Sequence, residues 1–325
     1  MGTLNNSPRG MQPTLLYYHV LCYQSEAISL LEKHFRLEVL DSPDSDSKEI
    51  LGKVDVILAP LGYYFGRDKF ELCKKLKIIG SSTTGHPHID IEEAAERNIK
   101  VLTLKSENKF LESITPTAEL TWGLIIALSR NLPRAQQSVR EGNWSRWSVG
   151  SDRMLSRMKL GVVGYGRLGR MVANYGVAFG MDVYYHDLVN YDDEKFQYFE
   201  NLEELVALCD VVTAHIPHEE STENLFDQQL FDCFKTGAYF VNTSRGEIVD
   251  DVALLEALRS NKLAGAACDV FPGEYLPDFS LTNHPLWSYF MEHENLILTP
   301  HIGGSTIDAW RETQLFIANK IIDHL

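Results

Sequence analysis

Short apolar segments rich in β-branched residues alternate with longer segments of helical periodicity along most of the chain. This alternation is typical of βαβ units, in which helices cover a parallel sheet. Apolar runs such as Gly161-Val162-Val163 do not alternate with polar residues, as expected for strands buried on both faces. The predicted strands are 15–20, 54–59, 77–80, 100–102, 160–163, 182–185, 211–215, 239–242, 263–268 and 296–298. The predicted helices are 26–35, 91–97, 117–131, 168–179, 202–208, 252–259 and 306–324. The sequence therefore predicts an α/β fold.

Two positions indicate domain boundaries in this chain of 325 residues, which is long enough for two domains. Residues 104–115 are polar and irregular, and Pro116 and an apolar helix follow them. The second boundary lies near Thr299-Pro300, after which one amphipathic helix is too short to form a domain. The predicted divisions are a loose tail at 1–13, a discontinuous domain at 14–112 and 300–325, and a central domain at 113–299.

The charge balance and the cysteines exclude several kinds of protein. There are 45 acidic and 30 basic side chains, and the formal net charge of −15 argues against a nucleic-acid partner. Any anionic ligand therefore needs a local positive group. The five cysteines are scattered and odd in number, which predicts no disulfide framework, no metal site and a reduced, cytoplasmic setting. No apolar run is long enough to cross a bilayer, so we expect no membrane association.

A glycine-rich turn joins one predicted strand directly to a helix. Gly164, Gly166 and Gly169 form a GxGxxG pattern after the strand at 160–163. In this context the first glycine permits a tight turn and the second lets a pyrophosphate approach the backbone. The third allows close contact between helix and strand, and the helix N-terminus offers amides to the anion. The pattern predicts a dinucleotide site.

Asp187 ends the next predicted strand, at 182–185. A carboxylate there can accept hydrogen bonds from ribose hydroxyls and would repel a 2′-phosphate. No basic residue follows until Lys195. The sequence therefore predicts NAD rather than NADP as the cofactor.

Three later segments each follow a predicted strand and carry charged side chains. Arg245 follows the first strand, Asp269 and Glu274 follow the second, and His301 follows the third. Since the carboxyl ends of parallel strands line the ligand crevice of an open α/β sheet, we expect these groups to converge.

Together these segments resemble the D-isomer-specific 2-hydroxyacid dehydrogenase family, from about Gly80 to Thr306. The resemblance implies a central NAD-binding Rossmann domain inserted in a flavodoxin-like substrate domain, both Rossmann-like. It also implies that Arg245, Glu274 and His301 are the catalytic residues and that Asp269 faces the nicotinamide. The cofactor-binding residues that it implies are Gly164, Gly166, Arg167, Leu168, Gly169, Asp187, His215, Pro217, Thr222, Thr243, Ser244, Arg245, Asp269, His301, Gly303 and Gly304. For His215 a purely structural role stays equally open.

The resemblance also implies a substrate loop and a partner. Thr83, Thr84 and Gly85, together with Arg245, would bind the substrate, with loop amides meeting its carboxylate. An ordinary turn in which Asp90 caps the next helix is the alternative reading of that loop. A homodimer through the NAD-binding domain is implied, with 117–141 as its contact arm. Since few residues follow 300, we expect no effector-binding domain.

The chemistry agrees with these implied roles. Reduction of a 2-keto acid needs a proton for the carbonyl oxygen, and imidazole is a natural carrier near neutral pH. Glu274 would favour the imidazolium form of His301, and Arg245 can hold a carboxylate in its planar fork. The sequence thus predicts an NAD-dependent D-2-hydroxyacid dehydrogenase, an oxidoreductase acting on a small anionic 2-hydroxy or 2-keto acid.

Two alternatives use the same fold. An NADH-sensing corepressor or scaffold would keep the same three residues. A formate dehydrogenase uses a glutamine–histidine pair, and the carboxylate at Glu274 argues against it. Residues 104–115 depart from the family pattern, which leaves the substrate's side chain open; Lys105 or Lys109 could meet a second anionic group or simply be solvated.

Overall fold

The computed structural model describes residues 12–150 and 153–325. The predicted loose tail lies, up to residue 11, outside the described residues. The strands are β1 (Thr14–Tyr18), β2 (Arg36–Leu40), β3 (Val56–Leu58), β4 (Ile78–Gly80), β5 (Lys100–Leu102), β6 (Lys159–Val163), β7 (Asp182–His186), β8 (Gln197–Tyr198), β9 (Val211–Ala214), β10 (Ala238–Asn242), β11 (Leu263–Cys268) and β12 (Leu296–Leu298). The helices are α1 (Ser25–His34), α2 (Lys48–Leu51), α3 (Arg67–Leu72), α4 (Ile91–Glu96), α5 (Asn108–Leu111), α6 (Pro116–Ser129), α7 (Leu132–Arg140), α8 (Arg167–Ala178), α9 (Leu202–Leu208), α10 (Gln228–Cys233), α11 (Asp251–Arg259), α12 (Trp287–Glu292) and α13 (Ile307–Ile322).

The described chain divides into two compact units. The first unit contains residues 12–111, Tyr275–Pro277 and Thr306–Leu325. The second unit contains Glu112–Glu274, apart from residues 151 and 152, and Asp278–Ser305. The last helix, α13, thus belongs with the N-terminal part of the chain.

The first unit is built on a five-stranded sheet in the order β2-β1-β3-β4-β5, with every pairing parallel. This is the flavodoxin-like order. Gly80 ends β4 where α13 packs closely: a Cβ at this position would lie 2.4 Å from Cδ1 of Ile321. A larger residue there would force the Ile321 side chain to move.

The second unit is built on a seven-stranded parallel sheet in the order β12-β11-β10-β9-β6-β7-β8. The chain starts at β6 near the middle, runs outward to β8, and then returns to β9 on the other side of β6. The strand order therefore reverses between β6 and β9. Ligands of open α/β sheets bind at such a reversal, beyond the carboxyl ends of the strands. The predicted α/β class, with parallel sheets covered by helices, is confirmed.

Two strands, β2 and β8, were not predicted from the sequence. In β2 the polar Arg36 and Glu38 alternate with apolar residues at the edge of the sheet, so the continuous apolar signal of a buried strand is missing. The other, β8, is only two residues long. The segment 104–115, predicted to be irregular, contains the short helix α5, whose Leu111 is buried.

Candidate active site

Three neighbouring strands of the second unit end at one edge of its sheet and continue into polar loops. The strands are β10, β11 and β12, which lie side by side. The loop after β10 carries Arg245, the loop after β11 carries Asp269 and Glu274, and the loop after β12 carries His301. The sequence patterns predicted this convergence, and the contacts between the loops follow from it.

His301 and Glu274 form a direct pair. Nδ1 of His301 lies 2.5 Å from Oε1 of Glu274, and the two side chains are 23% and 15% exposed. Because the carboxylate only accepts hydrogen bonds, Nδ1 carries the proton in this pair. A histidine whose ring is oriented in this way by an acid is the usual arrangement of a general acid–base catalyst.

The backbone of His301 lies in the left-handed region, with φ of +50°. Few residues other than glycine adopt this conformation, although asparagine, aspartate and histidine do so more often than most. The amide of His301 donates to the carbonyls of Asp269 (2.9 Å) and Thr299 (3.0 Å). The surrounding structure therefore holds the strained residue in place, as is common at functional sites.

Asp269 organises the loop that carries His301. Its Oδ1 accepts hydrogen bonds from the Thr299 hydroxyl (2.5 Å) and the Ile302 amide (2.9 Å). Its Oδ2 accepts from the Gly303 amide (2.8 Å). Burial raises the pKa of this carboxyl, and these three hydrogen bonds oppose the rise. Both oxygens are thus engaged within the protein, while the predicted contact with the nicotinamide stays a prediction.

The backbone before Glu274 passes very close to Gly246. A Cβ at Gly246 would lie 1.9 Å from the carbonyl carbon of Phe271, a distance that no side chain can occupy. Glu247, the next residue, accepts a hydrogen bond from the Gly273 amide at 3.2 Å. The loop after β10 therefore positions the loop that bears the Glu274 carboxylate. Sequence reasoning did not single out Gly246, although its place directly after Arg245 is a usable signal.

The Arg245 guanidinium has no acidic partner among the described residues. Its Nη1 donates to the carbonyl of Ser244 at 2.5 Å, and no carboxylate lies within the 4.0 Å limit of an ion pair. Asn242 shapes the loop, because its amide group donates to the carbonyl of Arg245 and accepts from Ser244. The positive charge is thus held in place and left unneutralised, as an anion-binding group requires. The side chain of Thr243 turns elsewhere, to the hydroxyl of Thr121 at 2.8 Å.

The glycine turn lies after β6, at the reversal of strand order. Gly164 has φ of +92°, and a Cβ there would lie 2.7 Å from the backbone of His215. At Gly169 a Cβ would lie 2.0 Å from the carbonyl oxygen of Gly164. At Gly166, by contrast, a Cβ meets nothing within 4 Å, so open space adjoins the N-terminus of α8. These three environments fit a pyrophosphate beside Gly166 and the amides of Arg167 and Leu168.

Asp187 follows β7 beside this turn. Its Oδ2 accepts the amide of Tyr165 at 2.6 Å, which fixes the carboxylate against the glycine turn. The guanidinium of Arg167 donates to the carbonyl of Ile114 at 2.8 Å. Asp187 is therefore positioned by the same turn that would hold the pyrophosphate.

His215 follows β9 on the other side of the strand reversal. Its Nε2 lies 3.0 Å from the Thr213 hydroxyl, and its buried Nδ1 has no hydrogen-bond partner among the described residues. Burial lowers the pKa of His215 to about 3, so the imidazole is neutral at physiological pH. Pro217 and Thr222 lie in the next turn, where the Thr222 hydroxyl donates to the carbonyl of Pro217 at 2.8 Å. Their cofactor contacts stay predictions.

The two remaining glycines of the predicted set follow His301. A Cβ at Gly303 would lie 3.0 Å from Oδ2 of Asp269, so this position is tightly packed. At Gly304 a Cβ meets nothing within 4 Å. The absence of a side chain at Gly303 thus allows the loop to pack against Asp269, and Gly304 borders open space.

The predicted substrate loop belongs to the first unit and follows β4. The hydroxyl of Thr83 donates to the carbonyl of Gly85 at 2.6 Å, while Thr84 is exposed. The backbone amides of residues 82–85 donate no hydrogen bond to any described residue. Asp90 caps α4 by accepting the amide of Glu93 at 3.0 Å, as the alternative reading proposed. Because this cap uses only the Glu93 amide, it leaves the amides of residues 82–85 available to bind a ligand.

The described residues contain no group of three or more histidine, cysteine or acidic side chains that could hold a metal ion. Their helices include none with the length and apolar character needed to cross a membrane.

Comparison with known proteins identifies this architecture. The glycine turn and the strand order define a dinucleotide-binding Rossmann domain, and residues 122–303 match the family model for the D-isomer-specific 2-hydroxyacid dehydrogenase NAD-binding domain. The chain therefore belongs to the D-isomer-specific 2-hydroxyacid dehydrogenase family, and its cofactor is NAD.

Similar proteins have several names. The chain is 36% identical to the D-3-phosphoglycerate dehydrogenase of Haemophilus influenzae over 79% of its own length and 60% of that protein's length. It is 32% identical to the hydroxypyruvate reductase of Thermotoga maritima over 92% of its own length and 95% of that protein's. Its fold matches the D-lactate dehydrogenase of Aquifex aeolicus, solved with NAD and lactic acid, with a TM-score of 0.81 and 27% identity over 95% of each chain.

The open space at Gly166 generates a prediction. We expect Gly166→Ala to weaken NADH binding by about tenfold or more, because its methyl group occupies the space that the pyrophosphate needs. Folding should be unaffected, since that methyl group meets no protein atom within 4 Å. NADH titration by fluorescence and thermal unfolding together check this. Gly123→Ala, at another open position, is the matched control. Equal NADH affinity in Gly166→Ala and the control contradicts the placement of the pyrophosphate.

The buried His215 generates a second prediction. The unfolded state takes up a proton at His215 near pH 6.5, whereas the folded imidazole does so only near pH 3. Above pH 6.5 the imidazole is neutral in both states, so the folded protein has its full stability with respect to this group. Below pH 6.5 the free energy of unfolding falls by up to about 1.4 kcal/mol per pH unit for this group. His215→Gln keeps an uncharged hydrogen-bonding side chain, so its unfolding temperature should fall less between pH 7.5 and pH 5. Identical pH dependence in the two proteins would show that His215 titrates normally.

Proposed function

We propose that the protein is an NAD-dependent D-2-hydroxyacid dehydrogenase that interconverts a small 2-hydroxy acid and the corresponding 2-keto acid. The observation that carries this proposal is the His301–Glu274 pair, which lies on the same edge of the parallel sheet as the NAD-binding turn and an unneutralised Arg245. An oxidoreductase acting on a CH–OH group needs this set: a proton carrier, a carboxylate clamp and a hydride carrier. Bound NAD(H) supplies or accepts the hydride.

His301 moves the proton in this proposal. Glu274 holds the ring through Nδ1, and we assign the proton transfer to Nε2. In reduction, Nε2 gives its proton to the carbonyl oxygen of the keto acid. In oxidation, it takes the proton from the hydroxyl group.

Arg245 binds the substrate anion. The chain carries a formal net charge of −15, which repels a carboxylate at long range. A guanidinium without an acidic partner supplies the local attraction that overcomes this repulsion, and its planar fork fixes the orientation of the carboxylate or the carbonyl. Such positioning can contribute several kcal/mol to the rate.

The amides of residues 82–85 supply further donors for the substrate carboxylate. Successive unpaired N–H groups in a Gly- and Thr-containing loop form a concave site for a small anion. The hydrogen bond of Thr83 to Gly85 keeps this loop compact. Thr83, Thr84 and Gly85 are therefore proposed as the substrate-binding residues of the first unit.

The substrate's side chain is the open part of the proposal. The names of the similar proteins refer to 3-phosphoglycerate, hydroxypyruvate and lactate, and the chain spans about 60% of the length of the phosphoglycerate dehydrogenase compared above. A panel of 2-keto acids that includes pyruvate, hydroxypyruvate and the keto form of 3-phosphoglycerate, followed through NADH absorbance, identifies the preferred acid. NADH binding without turnover of any acid would support the sensor or scaffold alternative instead.

Variants of the pair test the mechanism. We expect His301→Asn, which tolerates the left-handed backbone, to lower kcat by about 10²–10⁴-fold and to leave NADH affinity nearly intact. Glu274→Gln keeps an acceptor for Nδ1 without the charge and should lower kcat less. Arg245→Ala should mainly raise the KM for the keto acid. The exposed His34→Asn and Arg259→Ala are matched controls. Wild-type turnover in His301→Asn would remove this residue from the mechanism.

We also propose that the protein works in the cytoplasm as a homodimer formed through the NAD-binding domain. All five cysteines are free thiols, which suits a reducing compartment. Trp144 and Trp147, just after α7, are 90% and 85% exposed, and Leu132 and Val139 on α7 are also exposed. Four large exposed apolar side chains within residues 132–147 support an interaction surface in this segment.

The dimer proposal predicts a mass near twice 36.9 kDa by light scattering after gel filtration. The double change Trp144→Asp and Trp147→Asp should shift this mass toward that of a single chain, because charges at the centre of an apolar interface are costly to desolvate. Val20→Asp, at an exposed apolar position of the first unit, is the control. A wild-type mass equal to one chain contradicts the dimer.

A further inference from the structure

His88 is a buried histidine that the proposed chemistry does not use. It lies in the loop after β4, only three residues beyond Gly85, and its side chain is 0% exposed. A fully buried histidine needs hydrogen-bond partners to offset the loss of water. The side-chain partner of His88 is Ser81, in the same loop as the four available amides of residues 82–85, while its buried Nδ1 has no hydrogen-bond partner among the described residues.

A chain of hydrogen bonds runs from the imidazole to the tip of the loop. Nε2 of His88 lies 3.1 Å from the hydroxyl of Ser81, which is itself buried. The Ser81 hydroxyl lies 2.9 Å from that of Thr83, and the Thr83 hydroxyl lies 2.6 Å from the carbonyl of Gly85. We call these four linked groups the His88 relay.

The direction of each hydrogen bond in the His88 relay follows from the Gly85 carbonyl, the group at which the relay ends. The Gly85 carbonyl can only accept, so the single proton of the Thr83 hydroxyl is committed to it. Thr83 must then accept from Ser81, whose own proton is thereby used. Ser81 can therefore only accept from His88, and Nε2 carries the imidazole proton.

The imidazole is neutral in this environment. Burial lowers the pKa of His88 to about 4, and a nearby carbonyl, that of Ala59, only partly opposes this effect. At physiological pH the ring thus has one N–H group, and the His88 relay uses it. The His88 imidazole therefore stays neutral, and the relay stays intact, across the pH range in which a cytoplasmic enzyme works.

Ser81 and Thr83, in the first part of the loop, are fixed by backbone hydrogen bonds to β5 and the residues that follow it. The amide of Ser81 donates to the carbonyl of Leu102 at 2.9 Å, and the amide of Leu104 donates to the carbonyl of Thr83 at 2.9 Å. No such backbone bond holds the described residues 84 and 85. The hydrogen bond from the Thr83 hydroxyl to the Gly85 carbonyl, the last link of the His88 relay, reaches this part of the loop.

We propose that His88 is a positioning residue that acts through Ser81 and Thr83 to hold the amides of residues 82–85 in the arrangement that binds the substrate carboxylate. The proposal rests on the proposed function of this loop. It assigns to His88 no contact with the substrate and no proton transfer.

Steady-state kinetics with the preferred keto acid tests the role. We expect His88→Leu, which removes the N–H group, and Ser81→Ala, which breaks the chain, each to raise the KM by about tenfold or more. The values of kcat and of the NADH dissociation constant should change less than about twofold. His88→Gln should recover most of the affinity, because its amide can donate from nearly the same place as Nε2. The double variant should be no worse than either single one, since both break the same relay.

Tyr18→Phe is the matched control. It removes another buried side-chain hydrogen bond of the first unit, from the Tyr18 hydroxyl to Oδ1 of Asp46 at 2.8 Å, without touching the loop. A similar loss of stability with an unchanged KM is expected. An equal rise of KM in Tyr18→Phe would mean that general destabilisation, and not the relay, explains the effect, which would overturn the proposal.

Hydrogen exchange of the ligand-free protein tests the relay separately from activity. In His88→Leu, but not in His88→Gln, the amides of Ser81 and Leu104 should exchange faster, because both belong to the backbone bonds that fix the first part of the loop. Unchanged exchange overturns the relay even if the enzyme is active. Faster exchange in a protein that turns over no keto acid supports the relay and rejects the proposed function. Faster exchange with an unchanged KM overturns the link to substrate binding.

Discussion

The buried carboxylate of Asp269 is the contact on which the sheet edge that carries Glu274 and His301 depends. It stands at the end of β11 and receives three hydrogen bonds from the residues that follow β12. Burying an ionised carboxylate is unfavourable unless donors surround it, so this group and the loop around it stabilise each other. Two strand ends are thereby joined into one rigid support. The strained backbone of His301 is held between them, and its imidazole is directed toward Glu274.

Close backbone contact is the second constraint. The loops that carry interacting side chains must themselves approach closely. The loop after β10 passes so close to the loop that bears Glu274 that a single Cβ at Gly246 would prevent the approach. The same logic governs the turn after β6, where Gly164 and Gly169 lie against other backbone atoms and Gly166 faces open space. Glycines that serve packing and a glycine that serves a ligand can thus be distinguished by what surrounds them.

Sequence reasoning predicted the parts of this structure that local patterns encode. Buried parallel strands are continuously apolar, and the glycine turn lies between a strand and a helix, so both were recognisable. The pairing of Glu274 with His301 followed from the order of strand ends and from the family resemblance. The edge strand β2 was missed because its polar residues do not show the buried pattern. The contacts of Asp269, the close approach at Gly246 and the His88 relay join residues through the folded backbone, and no periodicity marks them in advance.

The left-handed backbone at position 301 limits how this family member could change over evolutionary time. Valine, isoleucine and threonine are strongly disfavoured at such an angle, whereas glycine, asparagine and aspartate accommodate it readily. A descendant that gave up the reaction but kept the nucleotide-binding scaffold would therefore be expected to carry one of these small residues there. Such a residue at position 301 would mark a relative that has lost the proposed reaction, whereas a histidine there is compatible with an enzyme and with a scaffold.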